Sequence, residues 1–180
     1  MQMYFIAHVL PEELNKRILA YKHHMLEKFS CKVGLKSPAH ITLIPPFWMD
    51  EQKEAQLLAD TDSIYESVDP FPVSTHHFSA FKPRTIFIDV VVDEALAALK
   101  QRGDIFFKSH PYYGIKVETR PFHPHITIAT RDLHKKSFFE AWPLYQHELF
   151  KETWMADAVS VLRHNKKNWD VIHTSQFKKA

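Results

Sequence analysis

The order of hydrophobic segments repeats once along this chain of 180 residues, and the repeat constrains the fold more than any other feature. Each half contains three short apolar segments typical of strands, separated by two segments with the apolar spacing of amphipathic helices. A further apolar segment, 169–177, ends the chain. The sequence therefore predicts a single domain over 1–180, with repeat one (about 1–82) and repeat two (about 83–180) each a β-α-β-α-β unit.

The boundaries of these elements follow from prolines and from acidic residues at helix starts. The elements predicted for repeat one are 3–9, 11–29, 39–47, 50–68 and 71–81. Those predicted for repeat two are 85–92, 93–109, 124–130, 134–150 and 154–164. Pro45 and Pro46 are expected to stop strand 39–47, because proline cannot donate a main-chain hydrogen bond to a sheet. We expect the closing strand to form a hairpin with its predecessor.

The tripeptide His-Ile-Thr occurs in the middle strand of both halves, as His40 to Thr42 and as His125 to Thr127. Side chains alternate between the two faces of a strand, so each tripeptide presents an imidazole and a hydroxyl on the same side. If the halves pack about a pseudo-twofold axis, both pairs converge on one cleft. Two imidazoles can remove and deliver the protons of a phosphodiester displacement, and threonine hydroxyls can donate to the non-bridging oxygens.

A single His-x-Thr on a strand is a weak signal, because threonine favours strands and a strand histidine is usually a packing residue. Two copies at equivalent places in a duplicated topology favour the functional interpretation. We therefore predict that His40, Thr42, His125 and Thr127 form one catalytic site. His125 is expected to activate the attacking water or hydroxyl and His40 to protonate the leaving oxygen, and the inverse assignment stays open.

Several segments resemble the two-histidine phosphoesterase superfamily, which includes 2′,5′ RNA ligases and 2′,3′-cyclic nucleotide phosphodiesterases. These segments are "YFIAHV", "HITL", "PFHPHITIA" and "VSVLRHNKKNWDVIHTSQF". The resemblance implies an α+β, bilobal fold with pseudo-twofold symmetry, in which mainly antiparallel sheets flank a central cleft. It also implies metal-free chemistry on RNA-type phosphodiesters or cyclic phosphates, with both His-Ile-Thr tripeptides at the catalytic positions.

The chain departs from the pattern of this superfamily next to each tripeptide. Many members carry arginine where this chain has Thr130, and Arg131 follows one residue later. Because a shift of one residue reverses the face of a strand, Arg131 is expected to point away from the phosphate. After the first tripeptide, "IPPFWM" replaces a glycine-containing turn, which predicts Phe47 or Trp48 at the cleft entrance.

Other side chains are candidates for substrate binding, although packing and solvation are the commoner roles of such residues. An exposed ring could stack on a base, and the rings near the tripeptides are Phe47, Phe81, Tyr113 and Phe122. A cation could attract the phosphate, and the cations that flank the predicted cleft strands are Lys36, Lys82, Arg84 and Arg120. From these two groups we predict substrate contacts by Phe47, Arg84, Arg120, Tyr113 and Phe122.

The composition excludes several other classes of protein. The longest strongly apolar stretch, 86–92, is far too short to span a membrane, and the N-terminus lacks the pattern of a signal peptide, so a cytoplasmic location is expected. His123 and His125 have no carboxylate or cysteine at metal-ligand spacing, so neither a metal nor another cofactor is expected. The net charge of +2 does not by itself indicate nucleic acid binding, and the five basic residues against one acidic residue among the last twenty indicate a solvated edge.

The predicted function is metal-independent hydrolysis of a phosphodiester in an RNA end, a cyclic phosphate or a small nucleotide, without an obligate protein partner. Reversible 2′,5′ RNA joining would use the same groups, with a ribose hydroxyl in place of water. A non-catalytic RNA- or nucleotide-binding module is the alternative from another class. The two histidines favour an enzyme, because a module that only binds phosphate could use lysine or arginine, which stay charged.

Overall fold

The computed structural model describes residues 1–116 and 120–178. Within these residues the strands are β1 (Gln2–Val9), β2 (His40–Met49), β3 (Phe71–Phe81), β4 (Thr85–Val90), β5 (His125–Ala129), β6 (Thr153–Ala156), β7 (Ala158–His164) and β8 (Trp169–Gln176). The α-helices are α1 (Glu12–Phe29), α2 (Glu54–Tyr65), α3 (Glu94–Ser109) and α4 (Lys135–Tyr145). Short 3-10 segments occupy Val33–Lys36, Glu51–Lys53 and Pro111–Tyr113.

The strands form two four-stranded antiparallel sheets. The first sheet has the order β2-β1-β7-β8 and the second has the order β5-β4-β3-β6. β3, which ends the first half of the chain, pairs with β4 in the second sheet, and β7 from the second half pairs with β1 in the first sheet. Each half therefore completes the sheet of the other half. The predicted hairpin is present as the antiparallel pair β7 and β8.

β2 continues beyond the two prolines that were expected to stop it. Tyr4 of β1 pairs with Phe47, but Ile6 pairs with Ile44, so β2 carries an extra residue in a β-bulge at the prolines. A second shift follows, because Ala7 pairs with Thr42. β2 is also an edge strand, so only one of its sides needs donors. The expectation that Pro45 and Pro46 end the strand was wrong, because the bulge and the edge position accommodate them.

The predicted strand 154–164 is two strands that belong to different sheets. β6 pairs with β3, whereas β7 pairs with β1, and Asp157 separates them. Helix 50–68 is shorter than predicted, since its first turn is a 3-10 segment capped by Asp50. Helix 134–150 ends at Tyr145, after which the chain forms a bridge between Leu149 and β3.

The largest apolar cluster contains residues of both sheets and of the helices. A helix from each half packs against the His-Ile-Thr strand of the other half. α1 contacts β5 of the second sheet, and α3 contacts β2 of the first sheet. A separate small cluster of Phe5, Ala7 and Leu162 lies on the opposite face of the first sheet from Tyr4 and Ile6, as strand alternation requires.

The two strands that carry His-Ile-Thr, β2 and β5, are edge strands of their respective sheets and contact each other. The duplicated fold therefore brings the tripeptides from distant parts of the chain to the line where the two sheets meet.

Candidate active site

Each His-Ile-Thr alternates between core and cleft as predicted. Ile41 and Ile126 are 0% exposed and belong to the main core. The histidine and threonine on either side of each isoleucine are partly accessible. Burial of the isoleucines fixes the register of both strands, because a shift by one residue would move the imidazole and the hydroxyl into the core.

Each candidate histidine packs against a phenylalanine that lies on the neighbouring strand and faces the same way. The ring centroids of His40 and Phe5 are 4.8 Å apart, and those of His125 and Phe87 are 5.0 Å apart. Phe5 and Phe87 are buried, lying on β1 and β4 respectively. The two halves thus supply equivalent supports that restrict the rotation of the imidazoles.

A second equivalent pair of contacts fixes the tautomer of both histidines. The Nδ1 atom of His40 lies 2.7 Å from the main-chain oxygen of Pro38, and that of His125 lies 2.7 Å from the main-chain oxygen of His123. A carbonyl oxygen only accepts, so Nδ1 carries the proton and donates it in each contact. In the neutral form each Nε2 is then an unprotonated base.

The surroundings favour neutral imidazoles in the free protein. Burial is the main reason that the pKa of His40 falls to about 4, and the charges of Lys22 and His125 lower it further. Burial also lowers the pKa of His125, with His123 adding to the effect and Asp89 opposing it. The negative charge of a phosphate bound beside either ring would raise its pKa.

The cleft consists of two cavities that meet at Thr42. The first cavity, of about 490 Å³, is lined by Thr42 and His125 together with Phe81, Arg120 and Phe122. The second cavity, of about 420 Å³, is lined by His40, Thr42 and Thr127 among other residues. The four predicted catalytic side chains therefore all face this divided cleft.

Two cations, Lys36 and Arg131, line the second cavity. The expectation that Arg131 points away was wrong, because β5 ends at Ala129 and Arg131 has a left-handed φ of 52°, so strand alternation no longer applies. The Asp132 carboxylate accepts hydrogen bonds from the main-chain nitrogens of Lys32 at 2.6 Å and Val33 at 3.0 Å. This contact holds the segment with Lys36 beside the segment with Arg131.

The same arrangement of elements is found in known proteins. The family described as the 2′-5′ RNA ligase superfamily matches residues 10–168. The chain belongs to this superfamily. Its relatives include the RNA 2′,3′-cyclic phosphodiesterase of Bacillus subtilis, which is 29% identical over 133 residues, covering 71% of this chain and 70% of that protein.

Two solved structures share the fold of this superfamily member. TT0787 of Thermus thermophilus superimposes with a TM-score of 0.74 at 19% identity, covering 98% of each chain. E. coli LigT complexed with 3′-AMP superimposes with a TM-score of 0.67 at 17% identity, covering 99% of each chain. The predicted α+β fold of two antiparallel sheets around a cleft is therefore confirmed.

The structure brings only some of the predicted substrate-binding residues to the cleft of this superfamily member. Arg120 and Phe122 line the first cavity, whereas Arg84 is exposed and lines neither cavity. Phe47 is 6% exposed and packs against Tyr4 and Phe107.

Tyr113 is 1% exposed, and its hydroxyl donates to Asp60. Phe47 and Tyr113 are thus core residues in the structure, because the bulged end of β2 turns Phe47 inward and α3 covers both rings. Trp48 is exposed but lines neither cavity.

Sequence reasoning missed residues that approach the cleft from distant elements. Phe5 and Trp169 come from the first and last strands, and Lys22 comes from α1. Lys22 is 3% exposed, and its Nζ donates to the main-chain oxygen of Ser37 at 3.0 Å. The position of Lys22 on the core-facing side of its helix is the one sequence feature that could have identified it. Phe5 and Trp169 have no such feature, because aromatic residues are common in strands.

Within residues 1–116 and 120–178, no group of three or more His, Cys, Asp or Glu side chains is placed to bind a metal ion. Among the helices in the described part of the chain, none is long and apolar enough to cross a membrane.

Proposed function

We propose that this protein is a phosphodiesterase that hydrolyses RNA-type phosphodiesters, either 2′,3′-cyclic phosphates or 2′,5′ linkages, at an RNA end or in a small nucleotide. One observation carries the proposal. His40 and His125 are held in equivalent ways, each donating from Nδ1 to a main-chain oxygen, and both face a cleft that also contains Thr42 and Thr127.

In the proposed reaction, a water oxygen attacks phosphorus and the bond from phosphorus to a ribose oxygen breaks. One histidine accepts the water proton on its unprotonated Nε2, and the other, protonated on Nε2, gives that proton to the leaving ribose oxygen. Both Nδ1 protons stay on nitrogen, each hydrogen-bonded to its main-chain oxygen. The assignment of His125 as the base and His40 as the acid stays a prediction.

The threonines complete this proposal. The hydroxyls of Thr42 and Thr127 donate to the non-bridging oxygens, whose charge must be stabilised as the bonds rearrange. Lys36 and Arg131 add positive charge to the cavity that contains both threonines. This charge stabilises a bound phosphate without itself taking part in proton transfer.

The relatives support the same class of substrate. The Bacillus subtilis relative is named as an RNA 2′,3′-cyclic phosphodiesterase, and the E. coli structure with the same fold contains 3′-AMP. Both names refer to a ribonucleotide with a phosphate at the 2′ or 3′ position. The products of the proposed reaction are of the same kind.

Turnover measurements on 2′,3′-cyclic nucleotides and 2′,5′-linked dinucleotides test the proposal directly. We expect hydrolysis of at least one of these classes in the presence of EDTA, because protonation and hydroxyl donation need no metal. Binding of every compound without turnover would instead support a non-catalytic binding module. Loss of activity on chelation with recovery on adding Zn²⁺ or Mn²⁺ would contradict the two-histidine mechanism.

A further inference from the structure

The main-chain oxygen that orients His40 belongs to a short segment, residues 37–39, between the 3-10 segment Val33–Lys36 and β2. Residues 37–39 lie in neither a helix nor a strand. A regular element holds its main-chain groups through its own hydrogen bonds, whereas an irregular segment needs side chains or neighbouring segments for this purpose. The position of the Pro38 oxygen, and with it the orientation of His40, therefore depends on the contacts that hold this segment.

Asn15 of α1 holds the end of the segment that leads into β2. Its Oδ1 accepts from the main-chain nitrogen of Ala39 at 2.5 Å, and its Nδ2 donates to the main-chain oxygen of Leu10 at 2.6 Å. The main-chain nitrogen of Leu10 in turn donates to the main-chain oxygen of Ala39 at 3.0 Å. The Asn15 amide therefore bridges the residue that follows β1 and the residue that precedes His40.

Lys22 of the same helix holds the other end of the segment, because its Nζ donates to the main-chain oxygen of Ser37. Asn15 and Lys22 are seven residues apart, which is about two helical turns, so both lie on one face of α1. Both also line a third cavity, of about 280 Å³, together with Ser37, Pro38 and Ala39. The contacts of α1 with the segment thus flank the oxygen that accepts from His40.

The corresponding oxygen beside His125 is held by different contacts. The main-chain nitrogen of Val90 donates to the main-chain oxygen of Pro124 at 3.3 Å, and the Nε2 of His123 lies 2.9 Å from Oδ1 of Asp89. A change at Asn15 should therefore affect His40 and leave His125 in place.

We propose that Asn15 is a positioning residue of the active site, which fixes the orientation and the tautomer of His40 by holding residues 37–39. Asn15 acts through the main chain of Ala39 and the adjacent Pro38 oxygen, without contact with the reacting atoms. In the tautomer that these contacts select, Nε2 of His40 is the atom that exchanges a proton with the substrate. The role in catalysis rests on the proposed phosphodiesterase function, whereas the effect on the tautomer does not.

Nitrogen-15 chemical shifts of the imidazoles at pH 7.5, without substrate, test the effect on the tautomer. The parent should show His40 with its proton on Nδ1, its signals being assigned by comparison with His40→Asn. Asn15→Leu, whose side chain has a similar size but neither donates nor accepts, should move His40 toward a mixture of tautomers, because the hydrogen bond at one ring nitrogen determines which nitrogen carries the proton. The tautomer of His125 should stay unchanged.

Turnover of a 2′,3′-cyclic nucleotide tests the role in catalysis. Asn15→Leu should lower kcat by up to about 10²-fold with little change in KM, because a displaced imidazole impairs proton transfer more than binding. Asn15→Asp keeps an oxygen that accepts from the main-chain nitrogen of Ala39, so it should recover part of the lost kcat.

Thr75→Val is the matched control for Asn15→Leu. The Thr75 hydroxyl also bridges two main-chain groups, because it donates to the oxygen of Phe150 at 2.6 Å and accepts from the nitrogen of Glu152 at 3.2 Å. Thr75 lines neither cavity of the cleft. Thr75→Val should therefore lower the free energy of unfolding, measured with urea, while leaving kcat and the tautomer of His40 unchanged.

The positioning role and the proposed function fail in different ways. A tautomer of His40 that Asn15→Leu leaves unchanged, or equal losses of kcat in Asn15→Leu and Thr75→Val, would overturn the positioning role. Absence of turnover in the parent would contradict the function, and the tautomer measurement would then decide the role of Asn15 by itself. Circular dichroism checks folding, and Asn15→Ala, which also removes both hydrogen bonds, replaces Asn15→Leu if the latter does not fold.

Discussion

The imidazole of His40 is neutral in the folded protein at pH 7, because burial lowers its pKa to about 4. In the unfolded chain its pKa is about 6.5. The unfolded state therefore binds more protons between these two pH values, and the free energy of unfolding should decrease as the pH falls across this window. The difference corresponds to at most about 3 kcal/mol.

Urea denaturation at pH 7.5 and pH 4.5 measures this effect. His8 is also buried with a lowered pKa, so it contributes in the same direction, and comparison with His40→Asn isolates the contribution of His40. The variant should lose less stability than the parent between the two pH values. Identical losses would show that His40 is not held neutral by the fold.

Lys22 should act on the reaction through His40. Its Nζ donates to Ser37 immediately before Pro38, whose oxygen accepts from His40, and its charge lowers the pKa of His40 in addition to the larger effect of burial. Lys22→Met should therefore raise the pKa of His40 and move the basic limb of the pH–rate profile to higher pH, because His40, as the assigned acid, must stay protonated.

Lys16→Met is the control for Lys22→Met, because Lys16 is an exposed residue of the same helix and pairs with Glu12. Its pH–rate profile should match that of the parent. A basic limb that Lys22→Met leaves in place would contradict the electrostatic role of Lys22.

The threonine hydroxyls should contribute to rate without determining its pH dependence. Thr42→Val or Thr127→Val removes a donor to the non-bridging oxygens and should lower kcat by roughly 10²–10³-fold, with the shape of the pH–rate profile unchanged. Thr153→Val, on β6 outside both cavities, is the matched control. If kcat in both cleft variants equalled that of the parent, the threonine hydroxyls would have no role in the reaction.

At the scale of single residues, the sequence was informative where alternation and duplication agreed. His and Thr of each tripeptide share one side as predicted, and Ile41 and Ile126 are buried on the other side, because a strand with one apolar face has only one favourable register. Phe47 and Tyr113 could not be placed in the same way. A large aromatic ring next to a motif can be buried in the core or can line the cleft. Only the bulge in β2 and the position of α3 determine that these two rings are buried.

At the scale of elements, the 3-10 segment Val33–Lys36 must approach β5 closely to deliver Lys36 to the cleft. A Cβ atom on Gly34 would lie 2.2 Å from the main-chain oxygen of Ile128, which is too close for any side chain. Gly34→Ala should therefore separate the two elements, lower the free energy of unfolding by roughly 1–3 kcal/mol and reduce kcat/KM.

Ser37→Ala provides the control for Gly34→Ala in the denaturation measurement, since it changes the same segment but keeps the main-chain oxygen that accepts from Lys22. We expect a smaller loss of stability from it than from Gly34→Ala. If Gly34→Ala were as stable as the parent, this close approach would not constrain the segment.

The order of elements was predictable, whereas their pairing was not. Apolar spacing identified the four α-helices of the described residues and the strands that carry His40 and His125. It could not separate β6 from β7, because both are extended and apolar and differ only in the distant strand with which each one pairs. It likewise missed the continuation of β2, since a bulge depends on the partner strand as much as on the prolines.

At the scale of the whole molecule, exchange of strands makes the two halves interdependent. β3 completes the second sheet and β7 completes the first, so neither half contains all the strands of the sheet that carries its own His-Ile-Thr. The central claim is therefore that the two tripeptides form one catalytic unit, although they lie in different halves of the chain.

The pH dependence of kcat/KM in the parent, in His40→Ala, in His125→Ala and in the double variant tests this claim most directly. The parent should show a bell-shaped profile that belongs to the coupled pair, because one histidine must be neutral and the other protonated. Each single variant should lose roughly 10²–10⁴-fold in rate, with folding intact by circular dichroism. The double variant should be scarcely slower than the slower single variant, because groups that act as a unit are non-additive. Near-parent rates in both single variants, or losses that simply multiply in the double variant, would contradict a single two-histidine active site.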